Sequence, residues 1–226
     1  MSENIFIIVP AFNEAEVIEE TLAGLLQRGF QVVVIDDASS DNTGSILKSM
    51  PVHYLRHRIN LGQGAALQTG IRYALKKGAT IFVTFDADGQ HDAADIQPMI
   101  DLLVNKQQDI IFGSRFAAAR QSGVPILRKG VLHLARYLNF LLTGILLTDA
   151  HNGLRVFNRH TAEVINIVEN GMAHATELLI TTRKYNLRYD EMPVTIRYTP
   201  YSKKKGQKIS HSFKVLQDIL LYKIFK

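Results

Sequence analysis

Asp86 and Asp88 are separated by a single residue and followed by Gly89, Gln90 and His91. Carboxylates this close repel one another unless a cation lies between them. Hard oxygen donors on a tight turn suit Mg²⁺ or Mn²⁺, with substrate phosphates completing the shell. The same residue types also make ordinary surface turns, so the surroundings must decide. Asn13, Glu14, Asp36 and Asp37 offer acceptors that suit ribose hydroxyls or base amides, or equally cap turns and helices. Arg115 and Arg128 suit two-pronged contacts to a diphosphate leaving group.

These groups need elements to hold them on one edge. Apolar runs at Ile5–Val9, Val32–Ile35, Val52–Leu55, Ile81–Phe85 and Asp109–Phe112 read as buried strands. Helical periodicity fills the intervals at Glu14–Leu26, a stretch ending at Met50 and capped by Asp41, Ala65–Lys76, and Asp95–Val104 with Pro98 in its first turn. Strand and helix alternate five times, which predicts an α/β fold, doubly wound on a mostly parallel sheet. Every polar cluster follows a strand, so the clusters should meet at the carboxyl edge, where such sheets bind ligands. Further on, Leu154–Phe157 and Met192–Tyr198 read as strands, and Thr161–Val168 and Thr176–Lys184 as helices.

Several other chemistries are excluded. With no cysteine in 226 residues there is no disulfide framework and no thiolate site. No Gly-rich stretch ends in Gly-Lys-Ser/Thr, and the Gly62-Gln63-Gly64 segment has Leu67 where a dinucleotide fingerprint needs its third glycine. Residues 1–9 read as entering a strand and not as a signal peptide. The apolar stretch Leu138–Leu147 falls well short of the roughly 20 residues that cross a bilayer. Net charge is +5, concentrated late: residues 197–226 hold eight Lys/Arg against one acid, Asp218. That segment, and the Leu-rich, Arg-bearing stretch 126–147, read as amphipathic surfaces for an anionic membrane interface or for the core. The tail has no nucleic-acid motif.

Taken in order, Val9-Pro10-Ala11-Phe12-Asn13-Glu14, Asp36–Thr43, Asn60-Leu61-Gly62, Asp86–His91 and Gly113-Ser114-Arg115 resemble the motif series of family 2 glycosyltransferases. The nearest likeness is to the dolichol-phosphate mannose synthase-like branch, which includes bacterial polyprenyl-phosphate glycosyltransferases. Asp149–Arg155 is similar to that branch's Asp-x-x-Ser-Gly-Phe-Arg segment, with Asn152 in place of the serine, and Pro193–Arg197 and Tyr201–Gly206 are similar to its late segment. The resemblance implies a GT-A (Rossmann-like) fold over residues 1–200. Residues 201–226 would form a basic loop and an amphipathic C-terminal helix, either part of that domain or a membrane-docking appendage.

It also implies roles. Pro10, Ala11, Asn13, Glu14, Asp36, Asp37 and Asp86 would hold the nucleotide sugar, a UDP- or GDP-sugar. Asp86, Asp88 and Gln90 would hold Mg²⁺ or Mn²⁺. Asp88, Arg115 and Arg128 would serve the transfer, and Arg128, Arg197, Lys203 and Lys205 the acceptor. A polyprenyl phosphate is already ionised and needs no general base, whereas a sugar hydroxyl must be deprotonated; Glu177 is the best single candidate for that, with another acid as the alternative. The expected function is inverting transfer to undecaprenyl or dolichyl phosphate at the cytoplasmic face of a membrane, peripherally bound, alone or with a small membrane-protein partner. The alternatives are elongation of a polysaccharide or lipid-linked oligosaccharide, and a non-catalytic membrane- or nucleic-acid-binding module.

Overall fold

The computed structural model describes residues 3–116, 140–141, 143–171, 173–198 and 201. Seven strands form one sheet: β1 (Ile5–Ala11), β2 (Gln31–Asp36), β3 (His53–Arg56), β4 (Ile81–Thr84), β5 (Ile110–Ser114), β6 (Arg155–Asn158) and β7 (Tyr189–Pro193), in the order β3-β2-β1-β4-β6-β5-β7. All neighbouring pairs are parallel except those of β6, which runs against both β4 and β5. The helices are α1 (Ile18–Leu26), α2 (Thr43–Lys48), α3 (Gln63–Lys76), α4 (Ile96–Asn105), α5 (Arg159–Val164) and α6 (His174–Lys184).

Strand periodicity divides the apolar residues between two layers. Ile7, Val9, Val83 and Phe85 pack with Ile18, Leu22, Leu47, Met99 and Leu103, burying α1, α2 and α4 on one face. Phe6, Ile8, Phe82 and Phe157 pack with Leu67, Ile71, Ala162 and Leu179, burying α3, α5 and α6 on the other. Phe82 and Phe157 stack across the antiparallel pair with ring centroids 5.6 Å apart. Gly70 lets α3 lie close to the sheet: a Cβ there would come within 2.4 Å of Ile8 Cγ2 and 2.7 Å of Ile35 Cδ1.

Several sequence expectations shift. The first helix begins at Ile18, not Glu14, because Asn13 takes a positive φ of 55° and the Glu14 carbonyl closes a turn onto Val17 and Ile18. Asn42, not Asp41, occupies the cap position of α2, although Asp41 Oδ1 accepts from Thr43 N at 2.9 Å. The strand expected at Met192–Tyr198 ends at Pro193 and starts earlier, on polar Tyr189-Asp190-Glu191. Pro193 ends the ladder, and the chain then crosses to the Asp86–His91 loop through one bridge, His91 to Ile196. Most of 126–147, and 202–226 where a C-terminal amphipathic helix is expected, lie outside the described residues.

Candidate active site

Strands β1, β2, β4 and β5 end on one edge, and β6, being antiparallel, begins there. Their loops carry Asn13–Glu14, Asp36–Asp37, Asp86–Asp88, Ser114–Arg115 and Asp149–Arg155, so five clusters far apart in sequence share one rim.

Asp86 is the most heavily supported of these side chains. Gln63 Nε2 donates to Oδ1 at 3.0 Å. His91 Nε2 lies 3.1 Å from Oδ2, and the buried His91 Nδ1 has no partner, so the tautomer that donates from Nε2 fits. Gly153 presses from the third side, where a Cβ would lie 2.1 Å from Oδ2. Thr84 Oγ1 fixes Gly153 by donating to its carbonyl at 2.6 Å. Asp86 still keeps 29% of its side chain accessible. Burial works against its charge, but His91, with the Arg155 charge behind it, outweighs that and holds the carboxyl below the usual range. Burial, with the Asp86 charge beside it, pushes the Asp88 carboxyl up to about 6.

The rim is braced from the β2 side. Asp37 accepts from Leu61 N at 2.9 Å and Gly62 N at 2.7 Å, and His57 Nδ1 lies 2.7 Å from it. Gly62 can take φ 96° at no cost and starts α3, whose first residue is Gln63. Asp37 thus reaches Asp86 through the turn it holds. Asp36, expected among the nucleoside contacts, is fully buried and ties Ser39 N at 2.8 Å and Tyr54 Oη at 3.0 Å. Asn13 Oδ1 accepts from Ser40 N at 2.8 Å, and Thr43 Oγ1 accepts from Glu14 N at 2.8 Å. Glu14 Oε2 accepts from Tyr201 Oη at 2.7 Å. Pro10 and Ala11 run beside Ile35 and Asp36 as the end of β1.

Residues 6–165 match the family model "Glycosyl transferase family 2". The chain belongs to glycosyl transferase family 2. It is 34% identical to an uncharacterised protein of Methanocaldococcus jannaschii, over 99% of this chain and 93% of that one. It is 32% identical to the UDP-N-acetylglucosamine–dolichyl-phosphate N-acetylglucosaminyltransferase of Methanococcus voltae, over 98% and 97% of the two chains. A solved structure of Mycobacterium tuberculosis glucosyl-3-phosphoglycerate synthase, with Mn²⁺, UDP and glucosyl-3-phosphoglycerate, matches with a TM-score of 0.68 and 17% identity. That likeness covers 98% of this chain and 80% of that one and shows the shared GT-A fold.

The rest of this glycosyltransferase's rim is built on ion pairs. Arg115 Nε and Nη2 meet Asp149 Oδ2 and Oδ1 at 2.6 and 3.1 Å, fixing the guanidinium plane. Glu191 reinforces the loop, accepting from Thr148 N at 2.7 Å and Thr148 Oγ1 at 2.8 Å. Arg197 pairs with Asp92 and donates its amide to the Gln90 carbonyl at 2.8 Å, which ties the late segment to the Asp86–His91 loop. Glu177, 8% exposed, accepts from the amides of Val168 and Glu169, each at 2.9 Å. Its position is that of a loop anchor. Arg128, Lys203 and Lys205 lie outside the described residues.

Among the described residues no three His, Asp or Glu side chains gather as a complete metal cage. The donor chemistry nonetheless fits a divalent ion shared with phosphates. Asp86 and Asp88 share one turn, and the Asp86 charge disfavours that of Asp88, a conflict that a cation removes.

The sequence reading places His91, Asp149 and Arg155 in motifs but assigns no role to them or to Gln63. His91 carried a signal, since an imidazole five residues after a carboxylate can turn back on it. Gln63 carried none, because its partner lies 23 residues away.

Proposed function

We propose that this glycosyltransferase moves a sugar from a nucleotide sugar to a polyprenyl phosphate, with inversion and with a divalent metal. The observation that carries the choice of acceptor is the engagement of Glu177. A hydroxyl acceptor needs a base, and the best candidate for that in the sequence, Glu177, is held by two backbone amides. A phosphate monoester arrives ionised and needs none. The Methanococcus voltae relative, named for transfer to dolichyl phosphate, supports the same acceptor class.

Asp86, Asp88 and Gln90 would hold Mg²⁺ or Mn²⁺, which when bound neutralises the departing diphosphate. Asn13, Glu14 and Asp37 shape the nucleoside end. Arg115, oriented by Asp149, faces the phosphates and stabilises charge as the anomeric bond breaks. The attacking phosphate oxygen bonds to the anomeric carbon from the side opposite the leaving diphosphate, which inverts the centre. Among the described residues no helix is long and apolar enough to cross a membrane. The basic residues of 197–226 fit docking on an anionic membrane surface.

The test is transfer from a panel of radiolabelled UDP- and GDP-sugars to undecaprenyl phosphate with Mg²⁺ or Mn²⁺. Label extracted into the organic phase, and lost with Asp88→Ala, is the expected result. Donor binding with label moving only to a saccharide would overturn the acceptor, and no donor binding would overturn the reading altogether.

A further inference from the structure

Arg155 opens β6 opposite Thr84, two residues before Asp86, on the face covered by α3 and α6. Its neighbours in the strand, Val156 and Phe157, are apolar and buried as a core strand requires. Arg155 is itself only 2% exposed, so bulk water does little for its charge. Its Nε is buried with no hydrogen-bond partner. The two carboxylates whose charges bear on it are Asp86 and Asp149. Both are engaged elsewhere, Asp86 by Gln63 and His91, and Asp149 by Arg115. Among the described residues neither comes within 4.0 Å to form an ion pair with Arg155.

The two buried histidines on which the Arg155 charge acts do not share its character. Burial lowers the His174 and His151 imidazoles to about 4 each, so both are neutral near pH 7. Arg155 is therefore a buried cation beside the Asp86 turn whose guanidinium is not matched by a contacting acid. Burying a cation without its hydrogen bonds is costly, and the arrangement is stable when an anion completes it. A planar guanidinium with several N–H donors fits phosphate oxygens better than any other group such a substrate carries.

We propose that Arg155 is a phosphate-binding residue of this site, taking an oxyanion of a substrate that has reached Asp86. The inference rests on the glycosyltransferase reading above and adds a third guanidinium to Arg115 and Arg128. The oxyanion belongs to the donor's diphosphate or to the acceptor's monophosphate, and the experiment separates the two.

A sign difference distinguishes binding from scaffolding. A cation beside the Asp86 turn repels a bare metal ion and attracts a phosphate. Wild type, Arg155→Gln and Arg155→Lys would be compared in four measurements: thermal melting, Mn²⁺ binding by electron paramagnetic resonance without nucleotide, calorimetric binding of UDP and GDP with Mg²⁺, and binding of farnesyl phosphate in detergent.

For Arg155→Gln the expected result is a loss of about tenfold or more in affinity for a phosphate ligand, partly restored in Arg155→Lys. Mn²⁺ affinity alone should be unchanged or tighter. Loss confined to UDP or GDP assigns the donor diphosphate, and loss confined to farnesyl phosphate assigns the acceptor. Unchanged affinity for both overturns the proposal. So does a parallel loss of Mn²⁺ and phosphate binding with a lowered melting temperature, which is the mark of a structural residue. If wild type binds neither nucleotide, the glycosyltransferase reading fails first and this inference falls with it.

Discussion

Arg115 and Asp149, 34 residues apart, meet in a two-pronged ion pair with both side chains largely out of solvent, at 12% and 1% exposure. The contact joins the end of β5 to the loop that enters β6, and so decides where the Arg115 guanidinium faces. Removing one partner of a buried pair leaves the other charged and desolvated. Asp149→Ala should therefore destabilise the fold by about 3–5 kcal/mol. Arg115→Met/Asp149→Leu should recover much of that stability but no transferase activity. Urea denaturation of the single and double variants checks both statements.

Gly153 is needed for space. A methyl group there would lie 2.1 Å from Asp86 Oδ2 and 2.5 Å from Cγ, so the carboxylate must turn away. Gly153→Ala should lower transfer by about 100-fold, the scale expected for a reacting group displaced by about an ångström. It should also weaken Mn²⁺ binding. Activity within a few-fold of wild type would show that the Asp86 orientation does not matter.

Glu177 separates an anchor from a base. As an anchor, Glu177→Gln keeps one carbonyl oxygen for the Val168 and Glu169 amides. It should lose about 1–3 kcal/mol of stability, with kcat within about tenfold and an unchanged pH profile. As a general base it would lose roughly 100- to 10,000-fold in kcat and the acid limb of the profile. Steady-state kinetics between pH 5.5 and 8.5 tells them apart.

His174 should make the fold acid-sensitive. Burial first, and then the Arg155 charge, lower its pKa to about 4, against 6.5 for the free side chain. Below pH 6.5 the unfolded chain takes up a proton that the folded chain refuses, so stability falls as pH drops from 6.5 towards 4. At pH 5 the loss from this one residue is about 2 kcal/mol. His151 is shifted in the same direction, also to about 4. Denaturation midpoints at pH 7 and pH 5 should differ, and the difference should shrink in His174→Gln.

Much of the fold was legible because its strands are buried on both faces and read as continuous apolar runs. Ile5–Val9, Val32–Ile35 and Ile81–Phe85 all fall within strands or reach one residue past them. The placing of the polar clusters after strands followed from the alternation of strand and helix alone. β7 was misplaced because an edge strand need not be apolar: Tyr189, Asp190 and Glu191 pair with β5 through the backbone, while Glu191 serves Thr148. Asp36 shows a related limit. A carboxylate at a strand end can face a ligand or a buried turn, and only the position of Tyr54 and Ser39 decides which.

By itself the sequence determined the chemistry on offer: paired carboxylates on a turn, arginines for phosphate, no thiol, and a basic tail. It also determined that these groups would share one rim, since strand periodicity and turn residues are local properties. Only the tertiary structure decided which acids are already engaged. Asp149 belongs to Arg115, Glu177 to two amides and Asp37 to the turn before α3. It alone shows Arg155 buried with its Nε unpaired. The physical reason is that hydrogen-bond satisfaction is a pairwise property of groups brought together from distant parts of the chain. No window along the sequence contains both partners.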